Sequence, residues 1–187
     1  MMLSKQSSLY STPSCLDVSS SKQNKIQFYI NTSLINAISE TLNALIKENS
    51  NISISKSNKN YKLFNIRDIP SISLYDYIIR IGYYAEVNSS TLIIALIYID
   101  RICDYANITL TSINVHLMYL TAVVISIKFN EDVVYSLKYY AQIGGITVRE
   151  LQRLEDTFYT LINGNCYIEE KLYEKYQNYL MHYNVKN

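Results

Sequence analysis

The chain has 187 residues, of which 49% are hydrophobic and 18% charged, with a formal net charge of +1. That length makes one domain with tails and buries a real core, and the near-neutral balance removes the basic excess by which nucleic-acid-binding proteins usually show themselves. Four Gly and two Pro are too few for a hairpin-rich all-β fold, so helices are expected throughout.

Residues 1–32 are rich in Ser, with Lys, Gln and Asn and little periodicity, and are expected to form a disordered tail. The first residues lack the apolar run of a signal peptide. Thr12-Pro13 is a minimal proline-directed phosphorylation dipeptide of a kind common by chance. Cys15, Cys103 and Cys166 are far apart, no CxxC pair occurs, and His116 and His182 are the only histidines. No zinc spacing can be drawn from these, so the cysteines read as free thiols in a reducing compartment.

Leu34, Ile35, Ile38, Leu42, Leu45 and Ile46 make one apolar stripe at helical spacing. It predicts a helix over 33–47, capped by Thr32 or Ser33. The polar, repetitive stretch 48–60 reads as an exposed loop, and Phe64 to Pro70 as an extended lead-in. Ser73 and Asp76 then stand at the spacing of a capping box, opening a helix to Ala85 that turns Leu74, Tyr77, Ile78 and Ile81 inward.

From Leu92 to Ile99 the chain is apolar on every side of a helix. A helix of that kind must be enclosed, and a bilayer span needs about 20 such residues. The stretch therefore reads as a buried axle over 90–104, capped by Ser89-Ser90. Its Ile and Tyr content favours a strand, but the spacing continues through Ile102 and Cys103 without a turn dipeptide. A second central helix follows, capped by Thr111 or Ser112 and ending near Phe129. A shorter helix is expected over 133–142, stopped by Gly144-Gly145. Thr147 caps the next, over 148–162, which Asn163-Gly164-Asn165 ends; a last helix covers 169–181. No phosphate loop, nucleophile elbow or metalloprotease motif stands out, and His116 reads as a structural histidine with its ring satisfied.

Six segments now stand in order: Ile72-Ser-Leu-Tyr-Asp-Tyr-Ile-Ile-Arg80-Ile, Ile97-Tyr-Ile-Asp100-Arg101, Leu110-Thr-Ser-Ile-Asn-Val-His116, Ile127-Lys128-Phe129, Tyr139-Tyr-Ala-Gln-Ile-Gly-Gly-Ile146 and Glu150-Leu-Gln-Arg-Leu-Glu155. Together they resemble a cyclin box, and most of all the P-type (U-type) branch, whose members are similar to the yeast phosphate-pathway cyclin. The resemblance covers Ile69 to Leu180 and, more weakly, the 33–47 helix.

The resemblance implies an all-α cyclin fold, with a single five-helix cyclin box at 69–165. A flanking helix at 33–48 precedes it across a polar loop and lead-in (49–68), and a C-terminal helix and tail (166–187) follows. It implies a regulatory subunit without catalytic residues, cofactor or metal, paired as a heterodimer with a cyclin-dependent kinase that it activates. Neither nucleic acid nor membrane is expected as a partner, and the location is expected to be cytoplasm or nucleus. The alternative is a cyclin-fold scaffold or transcription-factor-like module that binds partners without activating a kinase.

The family's two kinase-gripping residues carry over to Lys128 and Glu155, with Phe129 and Tyr159 as aromatic contacts beside them. Read alone, Lys128 complements the helix dipole and Glu155 is a solvated surface acid. Asp100 resembles the family's structural acid, expected to be buried and in need of a donor. In many cyclins an Arg supplies it. Here that position is Ser71, and the nearest base on the helix is Arg80, so backbone N–H groups, Thr109 or Thr111 are the candidates. The substrate-docking groove of cell-cycle cyclins falls on Pro70, Leu74, Tyr77 and Arg80. An Arg where the family has an acid repels an incoming Arg, so Arg-x-Leu docking is not expected.

Overall fold

Residues 31–50 and 59–183 are described by the computed structural model. The Ser-rich tail as far as residue 30, with Thr12-Pro13 and Cys15, the loop residues 51–58 and the last residues 184–187 lie outside them. Among the described residues the regular elements are all helical: α1 (Thr32–Asn49), a 3-10 helix (Lys59–Phe64), α2 (Leu74–Ala85), α3 (Ser89–Ala106), α4 (Val115–Asn130), α5 (Leu137–Gly144), α6 (Val148–Leu161) and α7 (Glu170–Tyr183). This is the all-α bundle that the periodicity predicts. The 3-10 helix was not predicted, and it places Phe64 in the core, edge-on to Phe158 of α6 at 6.0 Å.

Two helices form the centre. In α3 every residue from Thr91 to Ile99 is buried, and Ile102 with them. In α4 burial is unbroken from Val115 to Ile127. These two pack chiefly on each other, α6 closes over α4, α1 over α2, and α7 lies across α1 and α3. A fully buried Ile or Leu is worth about 1.5–3 kcal/mol, so this apolar pair dominates the stability.

Local chemistry fixes most starts and stops. The Ser73 hydroxyl accepts from the Asp76 N–H and donates to its carboxylate at 2.6 Å, and Thr147 caps α6 through the Glu150 N–H. Gly145 sits at φ 72° after α5, as a helix-stopping glycine should. Gly144 is the last helical residue, and a Cβ on it would stand 2.2 Å from Leu120 Cδ2.

Other boundaries differ from expectation. Asn31, not Thr32 or Ser33, caps α1, and its side chain accepts from the Leu34 N–H. Asn88, not Ser89-Ser90, precedes α3. Its own side chain makes no cap. Instead the Glu131 carboxylate at the end of α4 takes the Asn88 N–H at 3.0 Å and the Thr91 hydroxyl. An anion there suits the positive end of the helix dipole. Likewise Asn114, not Thr111 or Ser112, begins α4; it is buried, accepts from the Thr111 N–H and donates to the Thr109 carbonyl. The fifth helix begins at Leu137 behind the Ser136 cap, so residues 133–136 are not helical.

The α6–α7 connection is tied to α3. The Tyr98 hydroxyl donates to the Cys166 carbonyl and Arg101 Nη1 to the Asn165 carbonyl, both at 2.7 Å. Burial pushes the Tyr98 hydroxyl up to about 12, so it stays a donor. Tyr119, equally buried, has a hydroxyl with no partner among the described residues. The two tyrosines therefore predict opposite signs. Tyr98→Phe orphans a buried carbonyl and should cost about 1–3 kcal/mol, whereas Tyr119→Phe removes an unsatisfied hydroxyl and should be neutral or stabilising by about 1 kcal/mol. Urea midpoints of the two variants check this; equal losses would contradict it.

Candidate functional site

The last turn of α4 emerges from the core just where α6 crosses it. Val124, Ile125 and Ile127 are buried, while Lys128 and Phe129 face out. On α6, Leu151, Leu154 and Phe158 face the core, which turns Glu155 and Tyr159 toward the same corner. The four residues singled out from the sequence thus come together. Lys128 Nζ pairs with Glu155 Oε1, the only ion pair among the described residues. The Glu155 side chain is the more enclosed, 16% exposed against 37% for Lys128. Phe129 and Tyr159 lie beside them with rings stacked, 6.3 Å apart and 13° from parallel.

These rings are far from buried, Phe129 being 56% and Tyr159 44% exposed. Two large aromatics stacked in solvent present an ordered apolar surface. Tyr159 is also held from behind. Gly164 turns at φ 65° beneath its hydroxyl, and a Cβ there would approach the Tyr159 oxygen to 3.0 Å. An open cleft lined by Phe129, Gly164, Cys166, Tyr167 and Tyr173 continues the corner toward α7. Its back wall is the connection that Tyr98 and Arg101 clamp. Sequence reasoning read 163–165 only as a helix stop and missed this role.

Asp100 departs from expectation. It is exposed rather than buried, and its partner is none of the backbone, Thr109 or Thr111: its carboxylate accepts from the Tyr176 hydroxyl of α7. Burial first, and this hydrogen bond second, raise the Tyr176 hydroxyl above the ordinary tyrosine range, so it remains protonated and donating. Asp100 thus fastens α7 to α3. Nothing in local spacing signals a contact between residues this far apart.

The altered groove also differs from its sequence reading. Leu74 and Tyr77 belong to the core, 6% and 5% exposed, rather than lining an open groove. The Tyr77 hydroxyl donates to the Gly144 carbonyl at 3.3 Å, and its ring meets His116 edge-on at 5.0 Å. His116 is buried as a structural residue, but among the described residues its ring nitrogens make no hydrogen bond of good geometry and only the Ile72 backbone acts on the ring, so it is not fully satisfied as expected. Burial lowers its basicity, only partly opposed by the nearby Ile72 backbone, and the ring is neutral at ordinary pH. Arg80 is half-buried, with its Nε also lacking a partner. Cys103 and Cys166 are free, and burial pushes the Cys103 thiol up to about 12, which leaves it a poor nucleophile. No described helix is long and apolar enough to cross a membrane.

The family profile described as Cyclin matches residues 23–165. Among curated proteins the chain is 37% identical over 127 residues to Cyclin-U4-2 of Arabidopsis thaliana, covering 67% of this chain and 59% of that protein. It is 30% identical over 141 residues to Cyclin-P3-1 of Oryza sativa subsp. japonica, covering 75% and 58%. It is 31% identical over 127 residues to the PHO85 cyclin-like protein psl1 of Schizosaccharomyces pombe, covering 67% and 52%. The aligned part of the chain thus spans between half and two thirds of the length of these relatives. A profile match over most of the chain, relatives of the U and P types, and an all-helical bundle around two apolar helices agree: the chain belongs to the cyclin family, as a P/U-type cyclin with a single cyclin box.

Proposed function

We propose that this cyclin binds and activates a cyclin-dependent protein kinase, and that it grips the kinase with Lys128, Phe129, Glu155 and Tyr159. The observation that carries the reading is the convergence of these four side chains on one solvent-facing corner between α4 and α6. An ammonium offers donors and a carboxylate acceptors, so together they complement a carbonyl and an amide of an approaching backbone. The stacked rings and the cleft beside them seat the apolar side chains of a helix, in the groove-binding manner of amphipathic helices. Holding the kinase's C helix inward brings that helix's Glu to the ATP-binding Lys, which is how a partner without chemistry of its own activates the enzyme. In the free chain the two charges satisfy each other, which keeps the corner ordered until a backbone shares them. The groove position Arg80 supports a second element of the reading: substrates carrying Arg-x-Leu are not recruited there.

Affinity capture from native extract tests the grip. Wild type should bring down a kinase with activity on the beads, and Lys128→Ala/Glu155→Ala should lose both by about 100-fold, as expected when two charge-assisted contacts of a desolvated interface are removed. A kinase that binds both forms equally would place the interface elsewhere. A kinase that binds wild type without gaining activity would leave a scaffold.

A further inference from the structure

The ends of α2 and α5 build a second surface, apart from the Lys128–Glu155 ion pair. Glu86 follows α2 in the left-handed region at φ 51°. Among the described residues the other non-glycine positions at positive φ are Asn107 and Asn163. Asn adopts that conformation more readily than Glu, so a carboxylate stands where the backbone alone would prefer Asn or Gly. Its Oε2 accepts from the Tyr135 hydroxyl at 2.9 Å, and among the described residues no cation pairs with it.

Aromatic rings frame this carboxylate. Tyr139 donates to the Tyr84 carbonyl at 2.8 Å and its ring lies 5.0 Å from that of Tyr135. Tyr83 meets Tyr84 edge-on at 5.2 Å, and both are more than half exposed. Val133 and Val134 continue the patch on the α4–α5 loop, also exposed. Side chains so apolar and so contiguous are unusual on a free surface. The electrostatics point one way. The hydrogen bond to Glu86 first, and then burial and the charge of Glu86, raise the Tyr135 hydroxyl; burial, Glu86 and Tyr84 raise that of Tyr139. Glu86 is the one ionised group that acts on the Tyr135 and Tyr139 hydroxyls; Lys138, the neighbour of Tyr139 on α5, is exposed to solvent.

We infer that Glu86 with Tyr84, Tyr135 and Tyr139 forms a docking site for a basic side chain, an Arg, presented by a partner protein. The guanidinium pairs with the open carboxylate oxygen and lies against the phenol faces, which attract cations through their quadrupole. The valines take the apolar residues beside it. This surface does not depend on the kinase grip and would serve whichever protein the cyclin engages.

The test is a titration of the full chain, ring-labelled at Tyr, with the tripeptide amide Gly-Arg-Gly, followed by NMR. Saturable shifts are expected at Tyr84, Tyr135 and Tyr139. The same peptide with neutral citrulline for Arg should bind at least about fivefold more weakly, since it keeps shape and loses charge. Glu86→Asn should separate binding from folding. Asn relaxes the backbone, so the melting temperature should hold or rise while the arginine shifts weaken by at least about fivefold. Equal shifts with citrulline, unchanged binding in Glu86→Asn, or no saturable shift would each overturn the assignment.

Discussion

Replacing Gly144 by Ala should lower the free energy of unfolding by about 1–3 kcal/mol, although Ala is the better helix former. By propensity alone the change would stabilise by about 1 kcal/mol. Packing reverses the sign. The new methyl would stand 2.2 Å from Leu120 Cδ2, with Leu120 Cδ1 and Cγ at 3.1 and 3.2 Å. Leu120 is itself buried in the middle of α4 and has no solvent side to turn to. Either it leaves its rotamer or α5 lifts off α4. Urea unfolding measures the loss, and a cycle with Leu120→Ala assigns it. The Leu120 truncation opens a cavity in the wild type but relieves a clash in the Gly144→Ala background, so the two changes should couple favourably by at least about 1 kcal/mol. An unaltered midpoint for Gly144→Ala would mean that the approach of α5 to α4 is looser than described.

Exchanging the two charges, Lys128→Glu with Glu155→Lys, should leave the fold intact and abolish kinase capture. The pair is solvent-facing, and surface ion pairs contribute about 0–1 kcal/mol whichever way round they stand. Stability should therefore move by no more than about 0.5 kcal/mol. Recognition is directional. A backbone carbonyl that met an ammonium now meets a carboxylate, and an amide that met a carboxylate meets an ammonium. Two misplaced charges at a desolvated contact cost about 2–5 kcal/mol, a loss of at least about 30-fold in affinity. Circular dichroism and urea midpoints report the fold, and capture reports the grip. Undiminished capture by the exchanged pair would reduce the two residues to a structural contact and leave the aromatic stack as the anchor.

Much of the fold is legible in the sequence, for local reasons. Ser73 with Asp76, Thr147 and Gly145 act within one turn of themselves, so their types and spacing suffice to place the ends they make. The enclosed α3 is legible because it is apolar all round. What escapes is chemistry carried across long separations. Asn88 begins α3 only because Glu131, 43 residues later, supplies the cap. Asp100 meets Tyr176 across 76 residues. The corner at Lys128 and Glu155 was named through family resemblance rather than spacing. Its stacked rings, and the glycine beneath Tyr159, needed the tertiary structure. Tyr77 sinks into the core beside α5, where its hydroxyl reaches the Gly144 carbonyl, and Leu74 is buried on the same helix, which α2 alone does not reveal.

The unbroken burial of α4 also sets how this cyclin can change over generations. A helix with one face in water offers neutral positions where sequence drifts freely. From Val115 to Ile127, α4 has no water-facing position, so substitutions there that change side-chain size or shape are felt by the packing. Freedom returns abruptly at Lys128, Phe129 and Asn130, where the helix leaves the core. On such a stem the corner proposed to grip the kinase can be retuned residue by residue while its platform stays fixed. Specificity for different partners can then diverge among related chains without any change in the body that presents it.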